Sequence, residues 1–367
     1  MIKEIRTRLN KYPLLNFLAS IKLAVVLIFI LCVLVVAGTL EQSSNGLFLA
    51  REKYFNSYIC FFGPVPFPGT LTILWLLSLN LICAFLLRFN LKIKNIGLIM
   101  SHLGLILLFI SGFFHFYYSQ ESFIEIQEAE TRSSSESYEE WQLEIKEFDK
   151  NFKLLENKVH ILNKKGKANQ ERNIILKDGT RLFIERQYTN AKVFHTPFAG
   201  TLIKEFPLEK EYEKNIPAIK FLLTDQELYL DGDQNDYEKI SESDKNFRLH
   251  LKRESFELPF SIELIDVKRE LHPNSSIAKT YSSKVLFKDG GVEREAIISM
   301  NKPIRSGLYT IYQARYGVDL DGNEFSVLAV VKNLNYQLPY WATLLINLGL
   351  LVHFIFAFLN YRRRLQA

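Results

Sequence analysis

The sequence predicts a membrane protein with four transmembrane α-helices and a large extracytoplasmic antiparallel β domain, folded as a sandwich or an open barrel. Three observations lead to this prediction. Four apolar stretches are each long enough to cross a bilayer, which takes about 20 helical residues. Roughly 220 residues between the third and fourth stretches contain no such run and alternate like strands instead. Three short segments outside the apolar stretches each carry a net positive charge.

The apolar stretches set the predicted domain boundaries. The four helices are assigned to residues 23–40, 69–87, 96–118 and 339–360. Between and around them lie a cytoplasmic N-terminal arm (1–22), an outer loop (41–68), a cytoplasmic loop (88–95), the outer β-rich domain (119–338) and a cytoplasmic tail (361–367). The first stretch follows a basic arm, as in a signal peptide, but it exceeds the 7–15 residues of a signal core. An uncleaved helix is therefore favoured.

Charge gives the predicted orientation. Residues 3–11, 88–94 and 362–364 each carry a net charge of +3. Positive loops remain on the cytoplasmic side, and four spans place all three segments there. Both chain termini are therefore predicted in the cytoplasm, with the domain 119–338 outside.

The overall composition argues against nucleic acid as a partner and against chemistry that depends on paired cysteines. The chain has a net charge of +5, but the three inner segments account for more than that, which leaves the outer domain at about −5. A domain of this charge would not attract nucleic acid. The chain has three cysteines, none in the outer domain and none in a Cys-x-x-Cys pair. It therefore shows no disulfide framework, no thiol redox motif and no covalent haem-attachment motif.

Period-two alternation indicates strands in the outer domain, for example at 123–127 and 247–252. Asp-Gly pairs at 178–179, 231–232, 289–290 and 321–322 mark turns between strands. The pattern allows one large β unit or two smaller ones, and the polar segment 133–140 is predicted to be a loop. The histidines of this domain, at 160, 195, 250 and 272, lack metal-ligand spacing, and no catalytic motif is present.

Histidines inside the apolar stretches are the candidate site residues, because an ionisable group is costly to place in a bilayer and each one is therefore a functional hypothesis. His102 lies roughly 9 Å and His353 roughly 10 Å from the predicted cytoplasmic ends of their helices, at 1.5 Å per residue. Two imidazoles at one depth suit a haem with two axial histidines. The alternative is a hydrogen bond to a serine or a carbonyl of a neighbouring helix. Gly104 and Gly349 would admit either a flat macrocycle or another helix.

His115 is different, because it lies about 20 Å further along the third helix, at its outer end. The residues around it are Phe113, Phe114, Phe116 and Tyr117. We interpret it as an interfacial residue within an aromatic belt.

Four segments in order resemble the ResB (CcsB) family of cytochrome c maturation proteins. Residues 301–313, Asn-Lys-Pro-Ile-Arg-Ser-Gly-Leu-Tyr-Thr-Ile-Tyr-Gln, are similar to a signature of that family. Gly38-Thr39-Leu40-Glu41-Gln42 resembles its Gly-Thr-x-x-x-Gln pattern, one residue shorter and with Glu41 where a proline is common. Residues 79–83 resemble Leu-Asn-Leu-x-x-Cys, again one residue shorter, and His102-Leu103-Gly104 resembles His-x-Gly.

The resemblance implies a role in system II cytochrome c biogenesis at the bacterial plasma (inner) membrane. It implies that the chain works with a CcsA-type membrane protein to move or hold haem and present it to apocytochrome c for thioether attachment. His102 would be an axial ligand of a transient, non-covalent haem b, with the second ligand from the partner. His353 as a ligand is our own inference from depth. The chain would not be catalytic alone but a subunit of a cytochrome c synthase (haem lyase), and thiol reductants of the pathway are further candidate partners.

Two other functions fit the same sequence. A membrane-anchored b-type electron-transfer cytochrome would need histidine pairs at two membrane levels, and only the inner level has one. A structural protein without haem, whose outer domain binds partners, would tolerate loss of both His102 and His353.

Overall fold

The computed structural model describes residues 11–366, apart from 89–91, 150–153, 163–172, 177–178, 180, 197–199, 224–225, 234–237, 243–244, 275–277 and 320. The chain divides into two compact units. A helical unit contains the chain up to Ser119 and again from Asn333 onward, and a β unit contains Gln120–Lys332. Residues 1–10 of the predicted N-terminal arm, and Asp178 of the first predicted turn, lie outside the described residues.

The helical unit contains four helices long and apolar enough to cross a membrane, as predicted. The helices are α1 (Pro13–Leu18), α2 (Ile21–Asn45), α3 (Leu47–Ala50), α4 (Thr70–Arg88), α5 (Ile96–Tyr118) and α6 (Leu338–Gln366). Helix α2 ends five residues later than the apolar run, and α6 continues through the positive segment 362–364. The predicted loop 41–68 also has structure: a short π-helix (Arg51–Phe55) and a hairpin of strands β1 (Ile59–Phe62) and β2 (Val65–Pro68).

Two of the family-like segments have packing roles in this unit. The buried Asn80 side chain donates to the carbonyl oxygens of Leu18 and Ser20, the latter at 2.9 Å, and so fixes the connection between α1 and α2. A Cβ on Gly38 would lie 2.5 Å from the Phe55 ring. Glu41, which stands where the family often has proline, forms an ion pair of 3.1 Å with Lys53. These residues position α2 against its neighbours.

The β unit is antiparallel in every strand pair among the described residues. Its strands are β3 (Gln120–Gln127), β4 (Thr131–Phe148), β5 (Leu154–Ile161), β6 (Asn173–Ile175), β7 (Arg181–Tyr188), β8 (Ala191–Thr196), β9 (Gly200–Glu205), β10 (Ala218–Leu223), β11 (Gln226–Asp231), β12 (Glu238–Glu242), β13 (Lys245–Leu271), β14 (Ala278–Asp289), β15 (Val292–Ser299), β16 (Ile304–Ser306), β17 (Tyr309–Val318) and β18 (Glu324–Lys332). The largest sheet has the order β15-β14-β13-β4-β3-β18-β17-β16, with β12 on β13 and β5 on β4. It does not close into a barrel, so a sandwich or open sheet describes it.

Two hydrophobic cores explain why the sequence allowed either one β unit or two. The first core contains Leu143 of β4 and Leu249 of β13, packed with the four-stranded sheet β11-β10-β7-β6. The second core contains Ile262 of β13 with residues of β3, β14, β17 and β18. Because the long strand β13 contributes its first half to one core and its second half to the other, the two cores belong to one compact unit.

The segment 133–140, predicted to be a loop, is part of strand β4. The prediction is wrong because Ser135 and Ser137 are buried within the β unit, where Ser135 Oγ accepts a hydrogen bond from Ser122 Oγ at 2.9 Å. Residues 137–140 form a bulge, since Glu136 pairs with Ser255 and Trp141 pairs with Arg253. The Arg253 guanidinium fills the space under the bulge, donates to the Tyr138 carbonyl at 2.9 Å, and lies 4.8 Å from the Trp141 ring centroid.

The turn predictions are confirmed where the structure describes them. Gly290 and Gly291 form the two-residue turn between β14 and β15, with φ of +55° and +84°. Gly322 has φ +88° between β17 and β18. In the signature 301–313, Gly307 at φ +54° turns the chain between β16 and β17, and Gln313 enters a buried network in which its Nε2 donates to Ser326 Oγ at 2.9 Å. The signature is therefore a structural hairpin.

Candidate functional site

His102 lies in the second turn of α5, where it is half-buried. Its Nδ1 is 2.8 Å from the carbonyl oxygen of Leu98, one turn earlier in the same helix. A carbonyl oxygen only accepts, so Nδ1 carries the proton and Nε2 is the basic nitrogen. A hydrogen bond of this kind fixes the tautomer and ring orientation of histidines that bind metals. The carbonyl comes from the histidine's own helix, not from a neighbouring one.

Helices α5 and α6 pack along a seam of small residues. A Cβ on Gly97 would lie 2.4 Å from the backbone nitrogen of His353, and one on Gly349 would lie 2.6 Å from the backbone nitrogen of Ser101. A Cβ on Gly104 would lie 2.8 Å from the Ala342 carbonyl oxygen. Close backbone approach through small residues is how membrane helices associate. The glycines therefore admit another helix, and no macrocycle fits between α5 and α6 in this packing.

The structure does not bring His102 and His353 together as two ligands of one haem. The backbone of His353 lies opposite Gly97, and His102 is five residues further along α5, about 7 Å of helical rise. His102 also follows Ser101, a seam residue, so its side chain points about 100° away from α6 at 3.6 residues per turn. The two histidines are offset in height and lie on different faces.

The face of α5 that carries His102 continues through aromatic residues. Phe109 and Phe113 follow His102 by seven and eleven residues and so lie on the same side of the helix. Phe113 stacks on Trp75 of α4 with ring centroids 4.1 Å apart, and Phe109 packs against the core shared by α2 and α4. His102 therefore belongs to the side of α5 turned towards α4.

Two of the remaining histidines have hydrogen-bond partners of their own. His115 is exposed near the end of α5, where its Nδ1 accepts from Asn333 Nδ2 at 3.3 Å. In the β unit, His195 Nδ1 lies 2.9 Å from Thr201 Oγ1. Within the described part of the chain, no three His, Cys, Asp or Glu residues are grouped as metal ligands.

The β unit contains a cleft of 430 Å³ that sequence reasoning missed. Its ionisable lining is balanced between four carboxylates (Glu125, Glu130, Glu136, Glu213) and four cations (Arg132, Lys214, Arg253, Arg315). Burial raises the pKa of Tyr138 in this cleft to about 12, which keeps its hydroxyl protonated at physiological pH. Since the two signs balance, the lining of the cleft carries no net charge.

Cys60 faces inward from the β1–β2 hairpin and is only 2% exposed. Burial raises the pKa of its thiol, so little reactive thiolate is present at neutral pH. The geometry indicates a packing role for Cys60 rather than redox or haem chemistry.

We expect native Cys60 to react slowly with N-ethylmaleimide. In a Cys32→Ala/Cys83→Ala background at pH 8, alkylation should be at least severalfold slower than after unfolding in sodium dodecyl sulfate, because the reagent cannot reach the buried thiol and its raised pKa leaves less thiolate. Mass spectrometry over time measures the rate. Equal rates before and after unfolding would show that Cys60 is accessible and would contradict this assignment.

Taken together, the four apolar helices and the antiparallel β unit define a membrane protein with a large β domain. The model of the ResB-like family matches residues 92–339, more than half of the chain. The chain belongs to the ResB-like family, which places it in cytochrome c biogenesis. A search of curated proteins finds no match. The matched segment contains His102 and the signature 301–313 but not His353, nor the family-like segments of α2 and α4.

Proposed function

We propose that this chain holds or moves haem in the membrane together with a CcsA-type partner and presents it to apocytochrome c for thioether attachment outside. The observation that carries the proposal is the hydrogen bond from His102 Nδ1 to the Leu98 carbonyl oxygen. It makes Nε2 the nitrogen that would bind haem iron, within the segment matched by the family.

The proposed haem is a transient, non-covalent haem b, bound through His102 on the side of α5 opposite the seam with α6. One axial position would be filled by His102 and the second by the partner. His353 is the candidate within the chain for the second ligand, but its backbone lies against Gly97 on another face. A partner-derived ligand is therefore the better-supported arrangement.

The proposal assigns this chain no catalytic residue. Its share of the reaction would be to hold haem and, through the β unit, to accept apocytochrome c. The complete cytochrome c synthase would be the complex with the CcsA-type protein. The proposed location is the bacterial plasma membrane, with both termini in the cytoplasm and the β unit outside, and thiol reductants of the pathway would keep the apocytochrome cysteines ready.

The experiment is complementation in a bacterium that lacks its own system II proteins. We expect covalent haem staining of a reporter c-type cytochrome only when this chain and a CcsA-type partner are expressed together. Staining that is independent of this chain would overturn the proposal. Haem that is retained by the chain and reduced reversibly by quinol, without any reporter maturation, would instead favour an electron-transfer cytochrome.

A further inference from the structure

The β1–β2 hairpin of the helical unit has an exposed apolar surface. Strands Ile59–Phe62 and Val65–Pro68 are joined by a tight turn at Gly63 and Pro64, with Gly63 at φ +62°. Glycine at the first central position is what a two-residue hairpin turn of this kind requires. Because the turn has only two residues, the last side chain of β1 and the first side chain of β2 lie close to the tip of the hairpin.

The base of the hairpin is fixed to the first turn of α4. The backbone nitrogen of Gly69 and the hydroxyl of Thr72 both donate to the Tyr58 carbonyl oxygen, at 2.8 and 2.7 Å. The backbone nitrogen of Leu71 donates to the Ser57 carbonyl oxygen at 3.3 Å. These bonds satisfy donors at the start of α4 and prevent the hairpin from moving independently of that helix.

The outward side chains of the hairpin are exposed and apolar. Ile59 and Phe61, on one face of the hairpin, are 62% and 55% exposed. Val65 is next to the turn on the other face, the one that buries Cys60, and is 57% exposed. No Asp, Glu, Lys or Arg occurs between Lys53 and Arg88, so no charge interrupts this surface. A hairpin that faced water alone would be expected to carry polar or charged residues at its exposed positions.

The hairpin is continuous with a group of aromatic side chains at one end of the membrane helices. The Tyr58 hydroxyl lies 2.9 Å from the Tyr117 hydroxyl at the end of α5. One turn deeper, Trp75 of α4 stacks on Phe113 of α5. Tyrosine and tryptophan gather at the level of the lipid headgroups. The base of the hairpin is thus placed at the membrane interface.

We propose that the β1–β2 hairpin inserts Phe61 and Val65 into the interfacial layer of the phospholipid bilayer and acts as a fifth membrane contact. The partner is a lipid surface, since the apolar patch continues from the lipid-facing ends of α4 and α5 and lacks the charges of a typical protein rim. Insertion would fix the depth and tilt of α4, to which the hairpin is bonded. This proposal does not depend on the haem function.

The test uses spin labels on single cysteines. Phe61→Cys is prepared in a Cys32→Ala/Cys60→Ala/Cys83→Ala background and reconstituted in phosphatidylcholine–phosphatidylglycerol vesicles. Two equally apolar and exposed positions serve as controls: Phe354→Cys on α6 for lipid, and Val292→Cys in the β unit for water. Collision of the label with oxygen and with a water-soluble nickel complex is measured by power saturation.

We expect the label at position 61 to collide more with oxygen than with the nickel complex, as at position 354, and the label at position 292 to do the reverse. Greater access of the nickel complex at position 61 would place the hairpin in water and overturn the proposal. A label at 61 that neither reagent reaches would mean that protein covers the hairpin, which also overturns it.

A second variant guards against disturbance by the Cys60 substitution. Phe61→Trp keeps all native cysteines and adds one tryptophan fluorophore to the three native tryptophans. In vesicles of brominated lipid, we expect the added fluorescence, taken as the difference from the parent chain, to be quenched by more than half. An added signal that bromine leaves unchanged would contradict insertion.

Discussion

Replacing His102 by alanine is expected to remove haem from this chain and to abolish its support of cytochrome c maturation. The physical reason is that His102 Nε2 is the proposed axial nitrogen, fixed by the bond from Nδ1 to the Leu98 carbonyl. Removal of a group that only hydrogen-bonds to a metal ligand lowers metal affinity roughly 10–100-fold. Removal of the ligand itself should therefore lower haem affinity by at least as much. Haem content is measured by pyridine haemochrome after co-purification with the CcsA-type partner.

Two other histidines provide matched controls in the same unit. His115→Ala changes an exposed residue at the end of α5 and should leave haem content unchanged. His353→Ala should also retain haem, because the partner is proposed to supply the second ligand. In a His102→Gly variant, added imidazole should restore the haem spectrum, a result that a purely structural role would not produce. Haem that survives in both His102 variants without imidazole would refute the ligand assignment.

Adding one methyl group to the α5–α6 seam is expected to destabilise the helical unit strongly. In Gly97→Ala the new Cβ would lie 2.4 Å from a backbone nitrogen, and in Gly349→Ala it would lie 2.6 Å from another. Backbone atoms cannot rotate aside as side chains do, so the helices must separate. Overpacking of this kind costs about 1–3 kcal/mol in well-packed cores. The thermal midpoint of the purified protein in detergent should fall by several degrees in either variant.

The matched control is Gly112→Ala, which makes the same chemical change in the same helix. A Cβ at Gly112 would meet nothing within 4 Å. Because alanine has the higher helix propensity, the Gly112 variant should be as stable as the parent or slightly more stable. If all three variants had the same thermal midpoint, the seam would not be a close backbone contact in solution.

Much of the fold could be predicted because its signals are local. A run of apolar residues long enough to cross a bilayer identifies a helix regardless of its neighbours, and Asp289 followed by two glycines identifies a tight turn. The prediction that residues 133–140 form a loop failed for the opposite reason, because contacts with distant residues decide the structure of this segment. Ser135 and Ser137 become buried only when β4 is placed between other strands. The bulge is held by Arg253, more than a hundred residues later, which donates to the carbonyl oxygens of Ser137 and Tyr138.

The sequence identified the residues of the candidate site but could not predict how they are arranged in space. Depth along each helix could be counted from the sequence, and this identified His102 and His353. Which way each side chain points depends on how α5 and α6 pack, and that packing is set by Gly97, Ser101 and Gly349 meeting across the seam. The sequence showed the small residues but left open whether they admit a macrocycle or a helix.

The sequence by itself therefore determined the four membrane helices, the antiparallel character of the β unit, its turns and the position of His102 in a membrane helix. These follow from hydrophobicity, periodicity and backbone preferences, which act between near neighbours in the chain. Only the tertiary structure decided that α5 and α6 touch through their backbones, that His102 faces away from that contact, and that one long strand joins two cores. These depend on close packing between distant segments, where a single methyl group decides which surfaces can meet.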